Sequence, residues 1–417
     1  MVVTGTGPVP NEGNAMNATN ARPDGHRVVV LGAGYTGMYT ALRLAHRTRR
    51  DGVRITLVNP SGRFVERLRS HRIAAGQELA HHKIRDLLAG TGITFVEGTA
   101  TAIDPAARRV TVDGAAPPDH ELRYETLVHA LGSAADTGAV PGADAHAFTL
   151  DSPGSAGRFA ARTAELAASG GAVTVCGGGL TGIEAATEIA ESRPGLRVTL
   201  ISSDEPGGMM GAGARAYVRR ALDRLGVTVE SGSRVAKVLP GAVELADGRT
   251  VRSDACLWTA GVTVPPLAAD AGFATDARGR IVVDAALRSV SHPEVLAIGD
   301  AAAVRMAWGE IHGTCQSGVP TAQQAADTIV RLLRGKPVRP FRFGYVHQPV
   351  SLGRRDAVIQ FTRADDTPRR AYLTGRAAVA YKELVSGSPL VVYRLSRRMN
   401  VSANFFKGGR ATRRPAV

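Results

Sequence analysis

Apolar and polar positions alternate along the chain in a pattern that occurs twice. Residues 28–58 contain an apolar run (VVVLG), an amphipathic stretch (MYTALRLAHRTRR) and a second apolar run (VRITLV), which predicts a βαβ unit. Residues 172–201 repeat this order with AVTVCG, IEAATEIAES and LRVTLIS. The glycine turns of the two units begin at Gly32 and Gly177, 145 residues apart. This offset indicates a duplicated domain rather than a short solenoid repeat.

Strand-rich segments follow each unit. ITFVEGTATAIDPAARRVTVDG comes after the first unit and GVTVESGSRVAKVLPGAVELADGRTVRSD after the second, and their alternation predicts antiparallel meanders. Each half then ends in a strand and a turn of small residues, HALGS (129–133) and WTAGV (258–262). Beyond residue 270 the pattern changes, and it predicts further strands, a helix near residues 320–334 and a C-terminal region with new strands.

The composition is that of a globular protein with two or three domains. The chain has 417 residues, 44% hydrophobic and 21% charged, which excludes disordered and fibrous proteins. No apolar run reaches the roughly 18 to 20 residues of a membrane-spanning helix, and residues 1–25 read as a flexible leader rather than a signal peptide. The three cysteines, Cys176, Cys256 and Cys315, form no CxxC pair, which favours a reducing cytoplasm over a disulfide framework.

Positive charge is concentrated at the C-terminus. The formal net charge is +14, and the segment from residue 341 to 417 carries 15 Lys and Arg against 4 Asp and Glu. Within it, residues 388–406 mix apolar and Arg positions as an interfacial helix would. This segment has two interpretations. It is a solvated basic tail of a cytoplasmic protein, or it makes peripheral contact with the inner face of a membrane.

The first glycine turn, GAGYTG, has the spacing of a dinucleotide-binding loop. Gly32 allows the tight turn, Gly34 lets the backbone approach a pyrophosphate, and Gly37 lets the helix pack closely on the strand. The helix N-terminus then offers amide groups to the phosphates. The acidic residue expected about 20 residues later is missing, since the second strand ends at Asn59, whose uncharged side chain can still hydrogen-bond a ribose.

The second turn, GGGLTG, assigns the same three roles to Gly177, Gly179 and Gly182. Its second strand ends in Ser202 and Ser203, with acidic residues just beyond. Because no carboxylate stands at the usual place, the choice between NADH and NADPH stays open. A pair of incidental glycine-rich turns is the alternative to two nucleotide sites.

The stretch HPEVLAIGDAAAV helps to decide between two nucleotide sites and a pair of incidental glycine-rich turns. Its Gly299-Asp300 resembles the second flavin-binding signature of the two-dinucleotide-domain flavoproteins, the superfamily that contains glutathione reductase-like enzymes, ferredoxin reductases and type II NADH dehydrogenases. In that superfamily the aspartate binds the flavin ribityl chain, a role the resemblance gives to Asp300. A lone Gly-Asp could instead cap a helix, although that would leave the two glycine turns unexplained.

The resemblance implies an α/β fold with two Rossmann-like domains and a smaller α+β C-terminal region. An FAD-binding domain would comprise residues 26–150 and 269–340, with an NAD(P)H-binding domain inserted at 151–268 and the C-terminal region at 341–417. FAD would be held by the first glycine turn and Asp300, and NAD(P)H by the second turn. Gly132 and Gly261 lie in the small-residue turns that the superfamily uses beside its cofactors. Glu184 falls where the superfamily often has a glutamate near the nicotinamide, or else is an exposed helix residue.

Several segments resemble the NADH dehydrogenase-like branch, namely GRFVERLRSHRIAAGQ, SLGRRDAVIQ and LTGR. The redox-active cysteine pair of the disulfide-reducing branch is missing, because residues 60–80 contain no cysteine. Electrons would therefore leave the flavin directly for an acceptor. CQSGVPTAQQAAD matches the glutamine-containing helix start of type II dehydrogenases only in part, with Gln316 as the catalytic candidate and Gln323 and Gln324 behind it.

These features predict an FAD-dependent NAD(P)H oxidoreductase whose acceptor is most simply a quinone. Two alternatives remain: a redox-controlled flavoprotein that binds a protein partner or nucleic acid, and a tailoring oxidoreductase of secondary metabolism. No metal site is expected, because the histidines lack metal-ligand spacing. The sequence does not determine the oligomeric state.

Overall fold

The computed structural model describes residues 25–115 and 120–409. Apart from Gly25, the predicted leader lies outside the described residues. The elements up to the second glycine turn are β1 (His26–Leu31), α1 (Tyr35–Thr48), β2 (Val53–Asn59), β3 (Arg63–Phe64), α2 (Ser70–Ala74), β4 (His82–Lys83), α3 (Ile84–Leu88), β5 (Thr94–Glu97), β6 (Thr99–Asp104), β7 (Arg109–Asp113), β8 (His120–Arg123), β9 (Thr126–His129), β10 (Ala134–Ala135), α4 (Ala143–His146), β11 (Ala147–Phe148), α5 (Pro153–Ala167) and β12 (Ala172–Cys176).

The remaining elements begin with the helix that follows this turn. They are α6 (Leu180–Ser192), β13 (Arg197–Ile201), α7 (Ala212–Arg224), β14 (Thr228–Glu230), β15 (Val235–Leu239), β16 (Ala242–Leu245), β17 (Thr250–Arg252), β18 (Ala255–Trp258), β19 (Val262–Thr263), α8 (Leu267–Asp270), β20 (Ile281–Val282), β21 (Val295–Ala297), β22 (Ala302–Ala303), β23 (Arg305–Met306), β24 (Gly309–Glu310), α9 (Cys315–Leu333), β25 (His347–Ser351), β26 (Ala357–Thr362), β27 (Pro368–Thr374) and α10 (Gly375–Ser396).

The first sheet contains five parallel strands in the order β21–β9–β1–β2–β5. Strand β1 supplies the run Val28, Val29, Val30 and Leu31, and all four side chains are buried. Continuous apolar runs of this kind are typical of parallel strands that are covered on both faces. Helix α1 packs against α9. The predicted first βαβ unit is confirmed, and its sheet is completed by β21 from far along the chain.

The second sheet repeats this architecture with five parallel strands in the order β11–β18–β12–β13–β14. Helix α6 connects β12 to β13 as α1 connects β1 to β2. The predicted meanders are the antiparallel sheets β6–β7–β8 and β15–β16–β17. The predicted α/β class with two Rossmann-like units is therefore confirmed.

The two small-residue turns lie side by side. Ala134 pairs with Thr263 and Ala135 with Val262, so that β10 and β19 form a short antiparallel ribbon. The indole of Trp258 donates a hydrogen bond to the Asp136 carbonyl at 2.9 Å. The ribbon brings together the two segments of chain that connect the units.

Helix α9 begins five residues before the predicted start at residue 320. Thr314 accepts a hydrogen bond from the Ser317 amide at 3.1 Å, and Ser317 Oγ accepts one from the Thr314 amide at 3.0 Å. This capping box nucleates the helix ahead of Pro320, which lies inside it. The proline concealed the true start in the sequence, because a proline inside a helix is normally disfavoured.

The C-terminal region forms the antiparallel sheet β25–β26–β27 and the helix α10. Tyr393 of α10 is buried, and its hydroxyl donates to the Tyr35 carbonyl, in the first glycine turn, at 2.8 Å. The ring of Phe64 meets the rings of Tyr35 and Tyr393 edge to face at 5.3 and 5.6 Å. Helix α10 is thus fastened directly to the first glycine turn.

The expected interfacial helix at residues 388–406 is helical only as far as Ser396. The chain then runs on to residue 409 without a further α-helix or strand, and we call residues 397–409 the C-terminal strap. Gln323 of α9 holds it, since its Oε1 accepts hydrogen bonds from the amides of Ala403 and Asn404 at 2.7 and 3.1 Å. None of the described helices has the length and apolar character needed to cross a bilayer.

His129, the last residue of β9, is buried in the first sheet with neither ring nitrogen hydrogen-bonded to a described residue. Burial lowers the pKa of His129 to about 4. The imidazole is therefore neutral in the folded protein at neutral pH.

We predict that His129 makes the fold sensitive to mild acid. Between pH 6.5 and 4 the unfolded chain binds a proton at this position that the folded chain does not, so the free energy of unfolding falls as the pH falls. His129 should contribute about 3 kcal/mol to that loss. Urea unfolding at several pH values should show a shallower decline for His129→Leu. The exposed His81→Leu is the control and should keep the wild-type slope; an equal slope in all three proteins would contradict the prediction.

Candidate functional site

The first glycine turn is shaped by two contacts that exclude side chains. A Cβ on Gly32, whose φ is +95°, would lie 2.5 Å from the Ala130 carbonyl oxygen, and one on Gly37 would lie 1.8 Å from that of Gly32. Gly34 is different, because a Cβ there would meet nothing within 4 Å. No side chain caps α1 at Gly34, so the first amides of α1 are available to a phosphate.

The second glycine turn has the same geometry. A Cβ on Gly177, whose φ is +121°, would lie 2.8 Å from Thr259 Oγ1, and one on Gly182 would lie 1.8 Å from the Gly177 oxygen. Gly179 again faces open space and precedes α6 without a side-chain cap. Both turns therefore leave room at the position where a pyrophosphate approaches the backbone of a dinucleotide-binding loop.

The residues at the ends of the second strands support the glycine turns. Asn59 Oδ1 accepts a hydrogen bond from the Ala33 amide at 3.0 Å, and its Nδ2 donates to the Ser61 carbonyl at 2.7 Å. Ser202 is buried beneath the second turn, where a Cβ on Gly178 would lie 2.1 Å from its hydroxyl. Each predicted strand-end residue thus lies beside its own glycine turn.

Asp300 lies in a cavity of about 200 Å³ between the end of β21 and the start of α9. Ser133 Oγ donates a hydrogen bond to Asp300 Oδ2 at 2.7 Å. Gly313 packs so closely against the Asp300 carboxylate that a Cβ on Gly313 would lie 2.3 Å from Asp300 Oδ1. Gly132 and Gly261, with φ near +70°, border the β10–β19 ribbon. Ser133 and Val262, the residues that follow these glycines, line the same cavity. The structure therefore brings Asp300 and the two small-residue turns together.

Glu184 is buried on α6 rather than exposed. Its carboxylate pairs with the Lys382 ammonium from α10 and accepts a hydrogen bond from the Ser351 amide at 3.0 Å. His71 Nδ1 from α2 lies 3.6 Å from Glu184 Oε2. Burial by itself raises the pKa of the Glu184 carboxyl, but Lys382 and His71 outweigh it and hold that pKa below its usual value.

The cluster therefore contains a buried carboxylate, an ammonium and an imidazole from three parts of the chain. Burial lowers the pKa of His71 to about 4, although Glu184 opposes the shift, so His71 is neutral at pH 7. Lys382 compensates the Glu184 charge. Burying this ion pair therefore costs less free energy than burying an isolated carboxylate would.

The side-chain amide of Gln316 is hydrogen-bonded through both its oxygen and its nitrogen to the backbone of the C-terminal region. Its Oε1 accepts from the Val346 amide at 2.7 Å, and its Nε2 donates to the His347 carbonyl at 2.9 Å. The neighbouring Cys315 is partly buried. Desolvation raises the pKa of its thiol to about 12, with a further contribution from Asp300. A protonated thiol of this kind is a poor nucleophile.

The histidines and acidic residues do not converge on a metal in the part of the chain that the structure describes, where no group of three or more potential ligands occurs. The chemistry that these residues fit is dinucleotide binding at two turns, with the buried Glu184 cluster between the second unit and the C-terminal region.

Sequence reasoning missed four residues whose side chains contact the predicted site residues, namely Lys382 and His71 beside Glu184, Thr259 beside Gly177, and Ser133 beside Asp300. Only Thr259 and Ser133 had a signal, since both belong to the repeated small-residue turns.

The chain is similar to known oxidoreductases over most of its length. The sequence model of the family described as pyridine nucleotide-disulphide oxidoreductase matches residues 26–328. An NADH dehydrogenase-like protein of Mycobacterium tuberculosis is 31% identical over 351 residues, which cover 80% of this chain and 87% of that protein. A type II NADH:quinone oxidoreductase of Staphylococcus epidermidis is 26% identical over 365 residues, covering 80% and 89%. The sulfide:quinone oxidoreductase structure from Aquifex aeolicus superimposes with a TM-score of 0.76 at 22% identity, covering 89% and 92%.

We predict that substitutions of two glycines in the first turn have different effects, one on nucleotide binding and the other on stability. Gly34→Val places its side chain in open space, so the free energy of unfolding of the flavin-free protein should change by less than about 1 kcal/mol relative to the flavin-free wild type, while nucleotide binding is lost. Gly37→Ala cannot fit its methyl group against the Gly32 carbonyl and should lose more than about 2 kcal/mol of stability. Urea unfolding and the cofactor content of the purified variants measure the two effects. Cofactor retention by Gly34→Val would contradict the assigned role.

Proposed function

Because the chain belongs to the pyridine nucleotide-disulphide oxidoreductase family, we propose that it oxidises NADH and passes the electrons, through FAD, to a quinone. The chain is an oxidoreductase, and like other members of its family it binds FAD and uses NAD(P)H. The observation that carries the proposal is the pair of matching glycine turns, each with an open central glycine, together with Asp300 in the adjoining cavity.

The first unit is the proposed FAD site. The turn around Gly34 and the first amides of α1 would take the pyrophosphate, and Asp300 would accept a hydrogen bond from a hydroxyl of the ribityl chain. Bound FAD supplies the chemistry of accepting a hydride from a nicotinamide and releasing the electron pair to an acceptor. The protein supplies orientation and a site from which water is excluded.

The second unit is the proposed nucleotide donor site, with its pyrophosphate at Gly179. We favour NADH over NADPH because the exposed Asp204 and Glu205 follow the strand end, where a 2′-phosphate would meet their negative charge. Arg219 lies 3.3 Å from Glu205 and 3.4 Å from Asp223, so its charge is already compensated. Glu184, with Lys382 behind it, would border the nicotinamide end of this site.

The acceptor is proposed from the relatives and from the absence of a dithiol. Residues 60–80 have no cysteine, so no disulfide can relay electrons from the flavin at the usual place. Relatives in Staphylococcus and in Arabidopsis carry quinone or ubiquinone oxidoreductase names. A quinone that accepts the electron pair directly accounts for both observations.

Contact with a membrane surface would give the protein access to a lipid-soluble quinone. Leu384, Val391 and Leu395 lie seven and four residues apart on one face of α10 and are 73%, 53% and 44% exposed. The exposed Arg394 and Arg398 stand beside this stripe. An apolar stripe with adjacent arginines favours the interface of an anionic bilayer.

The test of the catalytic proposal is an anaerobic titration of the yellow holoprotein, followed through its flavin absorbance. NADH should bleach the flavin, NADPH should do so at least about tenfold less efficiently, and a water-soluble quinone should restore the colour at once. A flavin that neither nucleotide bleaches would contradict the donor site. Rapid bleaching followed by slow reoxidation with every acceptor would favour the redox-controlled binding protein instead.

The test of membrane contact is cosedimentation with vesicles. The wild type should bind vesicles that contain anionic phospholipid, bind neutral vesicles less, and dissociate as salt is raised. Val391→Glu with Leu395→Glu should weaken binding by roughly tenfold or more, because two charges would enter the apolar interface. The control is Val290→Glu, at an exposed apolar residue outside α10. Equal binding by both variants would contradict the assignment of this face.

A further inference from the structure

The first unit has no carboxylate at the end of β2, where a dinucleotide-binding unit normally presents one to a ribose. Asn59 occupies that position, and its side chain already makes two hydrogen bonds, one to the Ala33 amide and one to the Ser61 carbonyl. Both bonds hold the glycine turn and the loop after β2. The adenosine ribose of FAD therefore needs a different acceptor for its hydroxyl groups.

Glu97 ends the neighbouring strand, β5, at the same edge of the sheet. Strands β2 and β5 are parallel, and their register pairs Asn59 directly with Glu97. Paired residues on adjacent parallel strands are about 5 Å apart and point to the same face. Because the Asn59 side chain faces the glycine turn, the Glu97 side chain rises on the side of the sheet where the turn lies.

The loop after β2 holds the Glu97 carboxylate at this edge. The Gly62 amide donates to Glu97 Oε1 at 2.8 Å. The approach is so close that a Cβ on Gly62 would lie 2.9 Å from Oε2 and 3.2 Å from Oε1. Among the described residues, no Lys, Arg or His forms an ion pair with this carboxylate, which is exposed. Its charge and most of its acceptor capacity are therefore available to a ligand.

We propose that Glu97 binds the ribose hydroxyls of the adenosine half of FAD and so replaces the acid that is missing at Asn59. A carboxylate can accept hydrogen bonds from the 2′- and 3′-hydroxyls together, and such charge-assisted bonds are stronger than those to a neutral amide. The division of labour is physical: Asn59 holds the glycine turn, and Glu97, one strand further, recognises the sugar. This inference rests on the proposed binding of FAD to the first unit.

The experiment measures binding rather than turnover. Full-length protein freed of its flavin is titrated with FAD and with an FAD whose adenosine lacks the 2′-hydroxyl, and binding is followed by quenching of flavin fluorescence. The wild type should bind FAD roughly tenfold more tightly than the deoxy analogue. Glu97→Gln should weaken FAD binding by a similar factor and bind the two flavins equally. The glutamine keeps an oxygen for the Gly62 amide, so the loop retains its anchor.

Two variants separate recognition of the ribose from a general effect on the loop. Glu165→Gln removes an exposed carboxylate on α5 and should behave as the wild type. Asn59→Asp in the Glu97→Gln background returns the acid to β2 and should restore discrimination against the deoxy analogue. Equal binding of both flavins by the wild type, or an equal loss for both in Glu97→Gln, would overturn the proposal. Failure of the wild type to bind FAD at all would instead overturn the placement of FAD on the first unit.

Discussion

A contact between two backbones determines the geometry of both halves of the molecule. In each Rossmann-like unit the sixth residue of the glycine turn lies so close to the carbonyl of the first that a Cβ would come within 1.8 Å of it. Only glycine permits this approach, and it brings the helix N-terminus to the carboxyl edge of the sheet. The open central glycine and the strand-end side chains take their places from this contact. The same distance recurs in both turns, so one steric solution is used twice.

The C-terminal region belongs to the site through electrostatics as well as packing. Lys382 enters from α10 to compensate the buried Glu184 of the second unit, while Tyr393 of the same helix binds the first glycine turn. Removing one partner of a buried pair typically costs 3 to 5 kcal/mol, because the other charge remains in a poorly solvated place. One helix thus contacts both Rossmann-like units.

Sequence reasoning predicted the features whose signals are local. Glycine spacing, apolar runs and the Gly-Asp pair were enough to predict two Rossmann-like units and to single out Asp300. It could not predict contacts between distant residues: Glu184 meets Lys382, 198 positions away, and the Sγ atoms of Cys176 and Cys256 lie 3.7 Å apart across 80 positions. Gln316 matched a motif, but its amide is bonded to the backbone of residues 346 and 347. The end of α10 at Ser396 also escaped prediction, because the mixed apolar and basic pattern continues beyond it.

The sheet order has a consequence for how the chain acquires its shape during synthesis. All strands of the second sheet are present once Trp258 has been made, whereas the first sheet waits for β21 at residues 295–297. Until then β9 keeps an unpaired edge, the kind of surface on which chains aggregate. The C-terminal strap, which Gln323 fastens, is made later still. On the ribosome the middle of the protein can therefore fold before its beginning, and the unit that starts the chain is among the last to be finished.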